Sequence, residues 1–233
     1  MAVLDRLEID RAAIVGISAT TMVALRLAAE QPERVSHLVI AGGYAARRLD
    51  DPSALAAVKC VMEQMRSDWA GYVDKFFSAV FSEPHSTKPY EDGVLHNGWA
   101  TDGATVAMGL AGWLGTDMRE QARKVRCPTL VIHGDDDQRV PYADGESIAA
   151  LVPGARLLTI GGGGHLMPAR DPAAFSRAVR DFAGPSPSRA TWVRGMARKR
   201  RALFISSAIG LGHVQRDLAI AREMRVGFCD GER

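Results

Sequence analysis

Gly16-Ile17-Ser18-Ala19-Thr20 joins the apolar run Ala12 to Val15 to a helix-patterned stretch that begins at Met22, so a serine stands at a strand-to-helix turn. A sharp turn there holds the hydroxyl clear of its neighbours. The helix that follows aims backbone N–H groups and its positive dipole end at the same point. The spacing nearly matches the Gly-x-Ser-x-Gly pattern of a nucleophile elbow, with Thr20 where the second glycine usually lies. Bulk at that position is expected to crowd the packing of helix on strand. An ordinary helix-capping serine satisfies the local pattern equally well, so the weight falls on whether partner residues exist elsewhere in the chain.

The strand rhythm gives the frame in which to look for them. Val35 to Ala41, Pro128 to His133 and Arg156 to Ile160 are further short apolar runs ending in turn residues, which suits buried parallel strands. Met22 to Glu30, Ala143 to Leu151 and Pro172 to Phe182 read as helices between or after them. Alternation of this kind predicts an α/β fold with a mostly parallel sheet. From about residue 45 to residue 125 the rhythm gives way to a helical insertion. Within it Trp69, Tyr72, Val73, Phe76, Phe77, Val80 and Phe81 recur at helical spacing. Such a stripe packs onto the body of the protein or walls an apolar pocket over the carboxyl ends of the strands, and different residues can do each.

A serine nucleophile needs an imidazole to accept its proton and an acid to orient that imidazole. Gly134-Asp135-Asp136-Asp137 directly follows one predicted strand, and Gly161-Gly162-Gly163-Gly164-His165 follows the next. Ser18, the aspartate run and His165 therefore fall on loops at one edge of one sheet, in the order serine, acid, histidine. His37, His85, His96 and His133 have no such context and read as structural or surface residues.

These segments resemble the α/β-hydrolase family. The likeness covers residues 1 to 184 and rests on Ile14-Val15-Gly16-Ile17-Ser18, on Pro32-Glu33-Arg34-Val35, on Pro128 to Gly134 with Asp137 and Val140-Pro141, and on Gly164-His165. It implies a hydrolase with a helical cap, acting on a small-molecule ester or similar acyl substrate. Ser18 would be the nucleophile, His165 the base and Asp137 the orienting acid. Asp136 is the second choice for that acid, and Asp135 a solvated turn residue. The Ala19 N–H would serve the oxyanion. In that family four strands precede the nucleophile strand, and a loop after the third donates a second oxyanion N–H, whereas here about ten residues stand before Arg11. The resemblance thus implies an incomplete sheet, an exposed strand edge open to self-association, and weak activity, since losing one oxyanion donor costs about 100- to 1,000-fold in rate.

Beyond residue 184 the pattern changes. Residues 185 to 201 read as a basic linker, and Ala202 to Ser206 with Gly210-Leu211-Gly212-His213 reads as the opening strand and helix of a second, incomplete α/β domain over residues 202 to 233. That piece resembles the first strand and helix of a two-domain (GT-B) glycosyltransferase or of a phosphoribosyltransferase-like module, and in the former His213 would occupy the place of an acceptor-activating base. The remnant of a hydrolase–glycosyltransferase fusion and a catalytically dead interaction module therefore stand beside the hydrolase.

The net charge of +2 implies no commitment to nucleic acid. The longest uncharged apolar stretch is too short to span a membrane, and no signal peptide is read. Cys60, Cys127 and Cys229 are odd in number and widely spaced, which suits free thiols in a reducing, cytoplasmic setting. No metal or organic cofactor is implied.

Overall fold

The structure is a computed structural model that describes residues 2–46, 52–81, 90–95 and 101–184. The expected linker, the second α/β piece with His213, Cys229, and His85 and His96 lie outside the described residues.

Four strands form one parallel sheet among the described residues: β1 (Ala12–Ile17), β2 (Val35–Ala41), β3 (Thr129–Gly134) and β4 (Arg156–Ile160), adjacent in that order. Register follows the apolar runs, with Val15 beside Val39, Ile40 beside Val131 and Ile132 beside Leu158. Helices cover both faces. On one, α2 (Thr21–Glu30), α6 (Arg119–Lys124) and α7 (Tyr142–Leu151) bury Leu25, Ala122 and Ile148 against Leu38, Ile40 and Val131. On the other, α8 (Met167–Arg170) and α9 (Pro172–Ala183) pack Met167, Phe175 and Phe182 against Val39 and Ile132. A short exposed helix, α1 (Ala2–Arg6), precedes β1, and an Asp5–Arg34 ion pair of 2.6 Å ties it to the segment before β2. The glycine- and aspartate-bearing loops thus emerge together at the carboxyl ends of the strands.

The central strands β2 and β3 are buried nearly throughout, as their unbroken apolar runs require. β1 and β4 differ from the buried strands expected of them. Each mixes exposed residues with partly covered ones, and each lies at an edge of the described sheet, flanked by a strand on one side only.

The helical insertion comprises α3 (Pro52–Ser67), α4 (Trp69–Val80), α5 (Gly103–Trp113) and α6. Asp68 and Asp102 cap α4 and α5 by accepting hydrogen bonds from Gly71 and Thr105 N–H. The aromatic stripe divides by register. Val73, Phe77 and Val80 turn inward and pack with Leu166, while Tyr72 and Phe76 face a cavity. Among the described residues no helix is long and apolar enough to cross a membrane. Cys127 is buried in the core and Cys60 is exposed on α3.

Candidate active site

β1 ends at Ile17, and Ser18 begins a single 3-10 turn, Ser18–Thr20, that leads directly into α2. Ser18 has φ +52°, in the left-handed region that a side chain rarely adopts. Strain at this residue is the physical mark of an elbow that lifts its side chain out of the sheet. Gly16 permits the sharp return, since a Cβ there would lie 2.8 Å from Ala24 Cβ on α2. Thr20 does not crowd that packing. Its side chain is exposed, and its hydroxyl accepts a 2.8 Å bond from Ile17 N–H while donating one of 2.8 Å to Ile17 O. It clamps the turn from outside, which is how a threonine is accommodated where glycine is usual.

His165 arrives on the glycine loop after β4 and is buried. Its Nε2 lies 2.9 Å from Ser18 Oγ, and its Nδ1 lies 2.8 Å from Asp137 Oδ2. A carboxylate can only accept, so Nδ1 carries the proton and the Nε2 lone pair faces the serine hydroxyl. Three residues from three loops, separated by as much as 147 positions, therefore form one continuous hydrogen-bonded chain.

The three aspartates of the acidic run have three separate tasks. Asp135 is exposed and accepts Gly162 N–H at 2.6 Å, joining the acidic loop to the glycine loop. Asp136 is exposed and accepts from Gln138 Nε2 at 2.7 Å. Asp137 has its side chain fully buried, and its Oδ1 accepts both Arg139 and Val140 N–H at 2.8 Å, leaving Oδ2 for His165. Burial opposes ionisation of Asp137, but hydrogen bonds from His133, His165 and Val140 outweigh it and hold the carboxyl well below the usual carboxylate range.

His133 is the residue that sequence reasoning passed over. It is fully buried at the end of β3, with Nε2 3.0 Å from Val140 O and 3.4 Å from Asp137 Oδ2. Because a carbonyl accepts, Nε2 carries a proton there, and Asp137 lies between two imidazoles. Burial disfavours the charged His133 ring, yet Asp137 and the Val140 carbonyl together raise its proton affinity. The available signal was its place one residue before Gly134 on an otherwise apolar strand. His37, by contrast, makes an edge-to-face contact with the Phe182 ring, as a structural histidine does.

Gly42 was also missed. It follows β2 with φ +55°, and a Cβ there would lie 2.9 Å from His165 O and 3.3 Å from His165 Nδ1. Only glycine both adopts that backbone conformation readily and leaves room for the acid–imidazole contact.

Above Ser18 and His165 opens a cavity of about 600 Å³. Its walls are Val61 and Met65 of α3, Tyr72 and Phe76 of α4, and Leu110 and Trp113 of α5, while Ala19 lies beside the serine on the floor. The insertion thus roofs the hydrogen-bonded chain with apolar surface.

The fold recurs in proteins of known structure. A hydrolase from Pseudomonas aeruginosa PA01 superposes with a TM-score of 0.65 at 30% identity, covering 79% of this chain and 69% of its own. An esterase from Exiguobacterium antarcticum superposes with a TM-score of 0.69 at 19% identity, over 78% of this chain and 69% of that one, a likeness of fold. A serine hydrolase of Mus musculus is 27% identical over 179 residues, 77% of this chain. The chain spans only 57% of that relative's length. Residues 2–172 match the family model described as the alpha/beta hydrolase fold, and with that match over most of its length the chain belongs to the alpha/beta hydrolase family.

Proposed function

We propose that this protein is a serine hydrolase that splits an ester or similar acyl bond of a small, partly apolar substrate. The observation that carries the reading is the chain Ser18 Oγ, His165 Nε2, His165 Nδ1, Asp137 Oδ2, with links of 2.9 and 2.8 Å beneath an apolar cavity.

Ser18 Oγ attacks the carbonyl carbon as its proton passes to His165 Nε2. Asp137 stays ionised and stabilises the imidazolium that results. The Ala19 N–H, at the start of the turn into α2, donates to the oxyanion. Collapse of the tetrahedral intermediate breaks the bond to the leaving group, which takes the proton from His165 and departs. Water then repeats the sequence on the acyl-serine, with His165 again taking and returning a proton. Family membership and the likeness to a mouse serine hydrolase support this assignment.

A fluorophosphonate probe with mass-spectrometric mapping tests it. The adduct is expected on Ser18, with labelling lost in His165→Ala and turnover of a 4-nitrophenyl ester lost in both Ser18→Ala and His165→Ala. Labelling on another serine, or labelling that survives in His165→Ala, overturns the assignment.

A further inference from the structure

Among the described residues that line the cavity over Ser18, most are apolar and one, Arg139, carries a permanent positive charge. Its guanidinium carbon sits 4.8 Å from the centre of the Phe76 ring on α4. Two anchors hold this arginine. Its backbone N–H bonds Asp137 Oδ1 at 2.8 Å, and its side chain lies on a cavity-lining aromatic ring. Among the described residues no carboxylate forms an ion pair with it, unlike Arg26, Arg34, Arg66, Arg119 and Arg123, whose charges are met by neighbouring carboxylates. Arg139 lines the same cavity as Ser18 and His165.

A guanidinium resting on a ring presents its edge as a planar fork of N–H donors, and a carboxylate matches that fork with two parallel hydrogen bonds. The cavity that both Arg139 and Ser18 line is walled largely by apolar residues such as Val61, Met65 and Leu110. Resting on the hydrolase reading above, we propose that Arg139 recognises substrate charge. The preferred substrate is an ester whose apolar portion ends, away from the scissile bond, in a carboxylate that pairs with Arg139. The walls select the chain and the arginine selects its end, since a hydrogen-bonding group in a pocket discriminates far more sharply than a methylene does.

The test separates recognition from turnover. In the Ser18→Ala protein, binding of suberic acid monomethyl ester and of dimethyl suberate is compared by isothermal titration calorimetry. The acid form is expected to bind about 10- to 100-fold more tightly, as charge-assisted hydrogen bonds of this kind allow. Adding Arg139→Gln should remove that difference by weakening the acid form, while Arg139→Lys should restore only part of it. Arg139 is exposed, so neither replacement threatens the fold. Equal affinity for the two esters, no binding of the acid form, or a preference that survives Arg139→Gln overturns the proposal. Hydrolysis of both esters by the unaltered protein is measured separately. A protein that turns them over without charge preference refutes the role of Arg139 alone, and one that binds the acid form without any turnover refutes the hydrolase reading alone.

Discussion

Ser18 is held in a conformation that its own Cβ opposes. Its φ of +52° costs about 1 kcal/mol or more for a residue with a side chain, and almost nothing for glycine. Ser18→Gly should therefore be more stable than Ser18→Ala by about 1 kcal/mol in urea unfolding, although both lose the hydroxyl. Equal stability of the two variants would show that the turn is relaxed rather than strained. The buried acid makes a second residue-scale prediction. Asp137 ionises below its unfolded value, so the folded state binds fewer protons than the unfolded chain as pH falls past about 4. The stability it contributes is complete above that value and is lost as pH drops toward the folded one. Asp137→Asn should flatten the fall of unfolding free energy between about pH 5 and pH 3. It should also lower turnover by as much as about 10,000-fold. Asp136→Asn, at an exposed carboxylate bonded to Gln138, should change neither, and losses equal to those of Asp137→Asn would contradict the geometry.

Elements differ in how openly their sequences declare them, and the difference has a physical origin. β2 and β3 are covered on both faces, so an apolar run bounded by turn residues identifies them, and Val35–Ala41 appears with the limits its sequence predicts. The loop order serine, acid, histidine was legible for the same reason: parallel strands put every following loop at one edge. Side-chain direction was not legible. The stripe on α4 has one spacing and two destinies, since Phe77 packs inward beside Leu166 while Phe76, one residue earlier, lines the cavity and carries Arg139. Spacing fixes which residues share a face of a helix, and only the neighbours decide what that face meets. Gly42 was hidden because its importance lies in His165, which approaches it from a loop distant in sequence, and His133 because the chain after β3 must turn back to set Asp137 and Val140 against its ring. Thr20 was misjudged because a hydroxyl can turn outward and bond its own strand, which side-chain volume alone does not disclose.

At the scale of the molecule, the described sheet carries Ser18 at one of its edges. β1 carries Ser18 at its end, pairs with β2 on one side, and has no strand beside it on the other among the described residues. Val15 of this strand is 40% exposed, and Val3 and Leu7, just before it in the chain, are 72% and 60% exposed. An apolar edge strand with unpaired N–H and C=O groups is a template for another strand, and edges that stay free usually carry lysine or another charge. β1 carries none between Ala12 and Ile17. We propose that this edge of the described sheet promotes self-association. Light scattering on a size-exclusion column should give a mass above that of one chain. Val15→Lys places a charge at an exposed site in register with Val39, so it should shift the distribution toward monomer with little loss of fold. If association through this edge also steadies the turn that follows it, labelling of Ser18 by a fluorophosphonate should slow as the associated species dissociates on dilution. A monodisperse monomer at every concentration, labelled at a constant rate, would show that β1 is satisfied as it stands.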